Sequence, residues 1–348
     1  MIEFRKQGHN VSLLTQSTEG DLHNDVKSFG VNCFSFYLPK ENSFNFYLKH
    51  IRFLANFVKE QKIEIVYSHL QQANIVSVFA QKFCSARFII CRHHSDSAHV
   101  FENKNVQRLD SIINRLGREF IVPSAKVYMQ MTETEKVNPA KIHLINYAYD
   151  FSKYPSVDTK KSEVIREKYK AKLLIIKVAR LIPEKRHFIL FRVVKKMFDE
   201  EHDVKLVVLS EGYLKKDFEK YISENNLSEN IFLLGHLKNI MNYLGASDLV
   251  IHVSASEASN NLIKEAALAE KPVIACRDVG DFDEYLINGE NAILLSKEKT
   301  EEELYSVLKK IYSKNISVHT FGKKLKKRIT ELYSIENIIR EYDRFHKI

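Results

Sequence analysis

The sequence predicts an α/β fold of two parallel-sheet domains, each built from repeated strand–helix units. Three observations carry that expectation. Apolar runs such as Leu173–Val178, Val204–Leu209, Leu249–Val253 and Val273–Cys276 alternate with stretches of helical periodicity. The runs are apolar almost throughout rather than at every second residue, as strands buried on both faces are. A chain of 348 residues suffices for two domains of about 150 residues, each able to bury its own core.

In chain order, residues 3–9 read as the tail of a helix ending at Gly8, and residues 11–14 and 31–37 as strands. Residues 44–60 place Tyr47, Ile51, Leu54 and Val58 at helical spacing, with Phe44, Phe46, Phe53 and Phe57 broadening the apolar face and Lys49, Arg52 and Lys59 supplying charge. Packing against a sheet accounts for that face; contact with a membrane surface is the other reading. A strand at 63–67, His69 and a helix at 71–82 follow, then a buried strand at 88–91. Arg92, His93, His94 and Asp96 come directly after it, where ligands of parallel sheets collect. His93, His94, Asp96 and His99 are near neighbours, but no second group with metal spacing occurs, so no metal is expected. A helix at 105–117, a short strand at 120–122 and a helix containing Tyr128 and Met131 complete this half.

The second half opens with a charged linker or short helix at 157–170 and the strand 173–178. Arg180 and Lys185 lie in the loop that follows, two cations able to grip a diphosphate. Strands at 204–209 and 231–234 flank a helix at 214–224. Between the strands 249–253 and 273–276, Asn260 or Asn261 caps a helix running to about residue 270. Glu257 in the loop before it and Glu265 in its second turn have the helix N-terminus between them, so they can face a negatively charged, hydroxyl-rich ligand from two sides. A short strand within 288–295 and a helix at 299–312 follow, the latter with acidic residues in its first turn as the helix dipole favours. Residues 321–348 read as an amphipathic helix.

The formal charge is +9, from 53 Lys and Arg against 44 Asp and Glu. That excess attracts anionic ligands, but it is dispersed, and its densest run, residues 323–328, reads as a solvated helix face. With no zinc-finger spacing and no RNA-binding aromatic motif, no nucleic-acid partner is expected. Cys33, Cys84, Cys91 and Cys276 lie in apolar runs without paired spacing, which fits a reducing compartment. No stretch approaches the length of a membrane span and no signal-peptide core opens the chain, so a cytoplasmic location is expected.

Ser254, Glu257, Asn261, Glu265, Ala266, Lys271, Pro272, Val273, Ile274 and Ala275 stand in an order that resembles the signature of the retaining family-4 glycosyltransferases of the two-domain GT-B fold. Other segments are similar to that family's motifs. Residues 178–185 resemble its V-G-R-L-x-x-x-K, with Ala179 and Arg186 in place of glycines. Asn146 and Asp150 match the interdomain turn, where Tyr147 and Ala148 replace a glycine-containing pair. Asp278, Val279, Gly280 and Glu284 match a paired-glycine segment from which Asp281 and Phe282 depart.

The resemblance implies two Rossmann-like domains facing across a cleft: 1–150 on the acceptor side, 151–325 binding the nucleotide sugar, and 326–348 crossing back. It implies metal-independent, retaining transfer from a nucleoside-diphosphate sugar, without a cofactor, to a hydroxyl of a glycan or lipid-linked acceptor in polysaccharide or lipopolysaccharide biosynthesis. Arg180 and Lys185 would then stabilise the departing diphosphate, together with the backbone at Asn260, Asn261 and Leu262. Glu265 would take the ribose hydroxyls and Glu257 the transferred sugar. His94, with His93 as the rival, would lie near that sugar, and contact with the inner face of a membrane is expected if the acceptor is lipid-linked. The family's first strand and glycine-rich loop have no counterpart in the sequence. A catalytically impaired protein that binds nucleotide sugar without transfer is therefore the alternative expectation.

Overall fold

The computed structural model describes residues 1–39, 43–93 and 103–347. In the N-terminal half, β1 (Ser12–Thr15) and β2 (Asn32–Ser35) pair in parallel as a sheet of their own. Four further strands, β3 (Ile65–His69), β4 (Arg87–Cys91), β5 (Glu119–Val122) and β6 (Ile142–Leu144), form a second parallel sheet in chain order. The helix Ser43–Glu60 uses its apolar stripe against this half. Ala55 and Val58 pack with Ala80 and Phe88, and Phe53 stacks on Phe36 at 3.9 Å between ring centroids. Internal packing thus accounts for most of the face that the sequence left open to a membrane.

In the C-terminal half, β7 (Leu173–Val178), β8 (Val204–Leu209), β9 (Ile231–Leu233), β10 (Leu249–His252), β11 (Val273–Cys276) and β12 (Ile293–Leu295) make one parallel sheet. Its order is β12-β11-β10-β7-β8-β9. The chain lays β8 and β9 on one side of β7, then crosses to lay β10 to β12 on the other. The strand order therefore reverses between β7 and β10, where Leu249 sits opposite Ile175 and Val250 opposite Ile176. Loops leaving the carboxyl ends of two such strands diverge to opposite faces and leave a crevice between them.

Residues 321–348 differ from the single helix expected. Two helices, Phe321–Tyr333 and Ile335–His346, meet at Ser334, whose ψ of 142° is extended. The physical reason is a strand-like insertion. The Tyr149 amide donates to the Tyr333 carbonyl at 2.9 Å, and the Ile335 amide donates to the Tyr149 carbonyl at 3.0 Å. The segment joining the two halves thus takes up backbone groups that a continuous helix would use. Leu325 and Ile329 of the first helix pack into the C-terminal core, while Ile338 and Phe345 of the second pack against Ile89, Cys91 and Ile121 of the N-terminal sheet. Two short helices, Asp21–Ser28 and Met241–Ala246, escaped the sequence reading because neither is long enough to show a clear period.

Candidate functional site

The loop after β7 carries Arg180, which is exposed, and ends in a 3-10 turn at Pro183–Lys185. Arg186 takes a left-handed conformation, φ 52°, and its guanidinium donates to the Lys297 carbonyl at 3.0 Å. The replacement of glycine there is accommodated by that anchor. Gly212, after β8, has a different duty. A Cβ there would lie 2.4 Å from the Leu181 carbonyl oxygen, and without one the Leu181 amide reaches the Glu211 carbonyl at 3.1 Å. Backbone pairing of the two loops sets where Arg180 and Lys185 start.

Lys185 Nζ lies 2.5 Å from Glu257 Oε1, with only 12% and 10% of the two side chains exposed. His252 Nε2, at the end of β10, lies 2.7 Å from the same carboxylate oxygen. Burial lowers the His252 pKa, while the hydrogen bond to the Glu257 carboxylate and its charge raise it. Burial pushes the Glu257 carboxyl up, but the His252 hydrogen bond and the Lys185 charge outweigh it and hold the group at about 2. Glu257 is therefore ionised at any working pH. Gly280, φ +57°, packs its α-carbon on this residue, and a Cβ there would meet Glu257 Cβ at 2.9 Å. Gly280→Ala is expected to shift Glu257 and lower kcat/KM ten- to a hundredfold with the thermal midpoint changed little, as steady-state kinetics and a melting curve will show.

The helix Asn261–Leu268 begins beside that carboxylate. Asn260 is its cap, with Oδ1 accepting the Ile263 amide at 3.2 Å. Asn261 Oδ1 accepts the Tyr149 hydroxyl at 2.7 Å. The Leu262 side chain is buried in the core, so that residue can serve a ligand only through its backbone. Amides of a first helical turn lack intrahelical acceptors and carry the positive end of the dipole. Glu265, one turn on, is half-buried, and burial alone pushes its carboxyl up to about 7.

In the N-terminal half, His69 Nδ1 lies 2.7 Å from His93 Nε2, and His93 Nδ1 contacts the Tyr147 hydroxyl. Tyr147, one of the departures from the family's turn, thus ties the interdomain segment to the ends of β3 and β4. His94, together with Asp96 and His99, lies outside the described residues. Arg92 is corrected: it is a buried structural cation, paired with Asp110 at 3.0 Å and Glu135 at 2.8 Å, because the strand end turns it into the domain. Among the described residues, no group of three His, Cys, Asp or Glu side chains is placed to hold a metal ion.

Sequence reasoning missed His252, Lys264 and Tyr149 and left Asp281 without a role. His252 and Lys264 each carried one faint signal, a titratable residue inside an apolar stretch. Glu284 joins the halves: its carboxylate accepts the Ala125 amide at 2.6 Å, Asn146 Nδ2 at 3.1 Å and the Tyr333 hydroxyl at 3.2 Å.

Comparison with known proteins gives two successive family matches, Glycosyltransferase Family 4 over residues 2–153 and Glycosyl transferases group 1 over residues 158–328. The chain is 25% identical over 165 residues to the poly(ribitol-phosphate) alpha-N-acetylglucosaminyltransferase of Staphylococcus aureus, covering 47% of this chain but only 33% of that protein. It is 24% identical over 283 residues to the N-acetylgalactosamine-N,N'-diacetylbacillosaminyl-diphospho-undecaprenol 4-alpha-N-acetylgalactosaminyltransferase of Campylobacter jejuni, covering 78% of this chain and 74% of that one. In structure it superposes on Anabaena Alr3699/HepE in complex with UDP-glucose with a TM-score of 0.84 at 17% identity, covering 100% of this chain and 94% of the other. The likeness establishes a GT-B fold.

Proposed function

We propose that this chain, a GT-B protein related to the group 1 and family 4 glycosyltransferases, moves a sugar from a nucleoside diphosphate to an acceptor hydroxyl with retention at the anomeric carbon. One observation carries the reading. Lys185 from the loop after β7 meets Glu257 from the loop after β10, beside the capped helix start at Asn260, at the point where the strand order of the C-terminal sheet reverses; Arg180 in the first of these loops and Glu265 one turn into the helix are the further residues the reading assigns to the site. Cations and first-turn amides suit a diphosphate, and carboxylates suit the hydroxyls of ribose and of the transferred sugar.

In the reaction the bond between the anomeric carbon and the β-phosphate oxygen breaks, and a bond to the acceptor oxygen forms on the same face. The acceptor proton passes to the leaving phosphate oxygen. Charge grows on that phosphate, and Arg180, Lys185 and the amides of Asn261 and Leu262 would stabilise it there, which is where fixed electrostatics contribute most. Glu257, held ionised, accepts from the sugar hydroxyls. His94 positions the sugar or acceptor, and His93, fixed by His69 and Tyr147, supports that side of the cleft. Closure of the halves excludes water.

The named relatives suggest a hexosamine donor and a polymeric or lipid-linked acceptor; a lipid-linked acceptor would be met at the inner face of the membrane. No helix among the described residues is long and apolar enough to cross a membrane. The test is incubation with the UDP-, GDP-, ADP- and CDP-linked forms of glucose and N-acetylglucosamine together with poly(ribitol phosphate) or an undecaprenyl-diphosphate-linked sugar as acceptor, and assay of the nucleoside diphosphate released. Release from one donor, with an α-linked product by proton NMR, is expected. Tight binding without release would support the impaired alternative, and neither binding nor release would overturn the reading.

Glu265 makes the donor site pH-sensitive. Its carboxyl titrates at about 7, and only the ionised form accepts two ribose hydrogen bonds. Lowering the pH from 8 to 6 is therefore expected to weaken nucleoside diphosphate binding about tenfold, measured by calorimetry. Glu265→Gln should reduce that dependence to what the titration of the diphosphate itself leaves.

A further inference from the structure

Lys264 is wholly buried, one residue before Glu265 on the inner face of the helix that opens at the donor site. Its Nζ pairs with Asp281, which is equally buried, and lies 3.1 Å from Ser259 Oγ and 3.1 Å from the Tyr285 hydroxyl. Asp281 accepts in turn from Ser259 and, at 2.9 Å, from Tyr285. The rings of Tyr285, Tyr333 and Tyr149 stand 4.4, 4.8 and 5.8 Å from the ammonium. The cluster joins five segments: the loop after β10 that carries Glu257, the helix start, the loop after β11 that seats Gly280 against Glu257, the returning C-terminal helix, and the interdomain segment.

A buried ion pair is a poor device for stability alone. Desolvating two charges offsets most of their attraction, and an apolar pair of similar volume is often neutral or stabilising in its place. What the pair supplies and an apolar pair does not is direction, since Lys264 and Asp281 must keep both loops at hydrogen-bonding distance from one another. Tyr149 extends the same order to the ligand-facing end of the helix through its hydroxyl on Asn261.

We propose that Lys264 and Asp281 are a positioning pair for the donor site. They hold the loops 257–259 and 278–281 in register with the helix start, and Tyr149 and Tyr333 tie that register to the junction between the halves. This rests on the donor reading of the site. The pair touches neither donor nor acceptor and acts through Glu257 and the first-turn amides.

The test is the double variant Lys264→Met/Asp281→Leu of the full chain, against wild type and the conservative Lys264→Arg. The double variant is expected to keep or raise its thermal midpoint. It should bind the preferred nucleoside diphosphate at least tenfold more weakly, and the amides of 257–261 and 278–281 should exchange hydrogen at least tenfold faster in the ligand-free protein. Lys264→Arg should recover most of the binding. A double variant with wild-type binding and wild-type exchange overturns the positioning role while leaving the donor site standing. If wild type itself binds none of the UDP, GDP, ADP and CDP offered, the donor reading falls and this inference with it.

Discussion

Lys185→Ala is expected to lower kcat/KM for nucleotide-sugar turnover by two to three orders of magnitude. Two losses combine. In the proposed reaction the ammonium is one of the fixed charges that face the leaving diphosphate, and removal of one such group from a preorganised site costs about 3–4 kcal/mol of transition-state stabilisation. The same substitution strips Glu257 of a counter-ion 2.5 Å away in a largely buried setting. The Glu257 carboxyl, no longer held down at about 2 by Lys185 together with His252, should rise, so that activity falls further on acidification than it does in wild type. Lys185→Arg keeps the charge but changes its reach, and should restore part of the rate. A Lys185→Ala enzyme within fivefold of wild type would remove Lys185 from the machinery.

Asp281→Ala alone is expected to be the most destabilising single change away from the ligand. It leaves the Lys264 ammonium buried among three tyrosine rings without its carboxylate. Breaking a buried pair from one side costs about 3–5 kcal/mol, or a fall of about 10 °C in the midpoint for a domain of this size. Burial lowers the Lys264 pKa even with the partner present. The lone amine should therefore lose its proton within the working range, and the deficit should shrink as the pH rises. Thermal melts at pH 6 and pH 9 check both statements. A midpoint unchanged from wild type would mean that the pair is not buried as described.

Much of this was legible in the sequence because parallel sheets announce themselves. Runs such as those at 173–178 and 204–209 are buried on both faces, so they are continuous in apolar residues and easy to bound. The loops that follow them inherit a predictable place. Lys185 and Glu257 could be put near one crevice without knowing a single contact, and their side chains meet at 2.5 Å. Asn260 was readable as one of two caps because Asn before an apolar run has a physical reason to be there.

What stayed hidden was contact between distant positions. Tyr149 and Ser334 are far apart in sequence, and only their bridge explains why the last segment breaks in two. Lys264 and Asp281 read separately as a charged residue in a helix and a departure from a motif; their pairing gives both a reason. Tyr147 stands where the family's turn has a glycine-containing pair, and only the structure shows that its hydroxyl meets His93. The nucleotide base and the acceptor depend on side-chain shape at the cleft, which periodicity does not encode.

In the proposed function the loop after β7 and the helix start after β10 together hold a nucleoside diphosphate. Calorimetric titration of UDP, GDP, ADP and CDP against wild type and Arg180→Ala tests it most directly, because Arg180 is exposed and its removal leaves the fold intact. One nucleotide is expected to bind wild type clearly more tightly than the other three, with Arg180→Ala weakening that binding at least tenfold. Equal binding by the two proteins, or no binding by wild type, would contradict it.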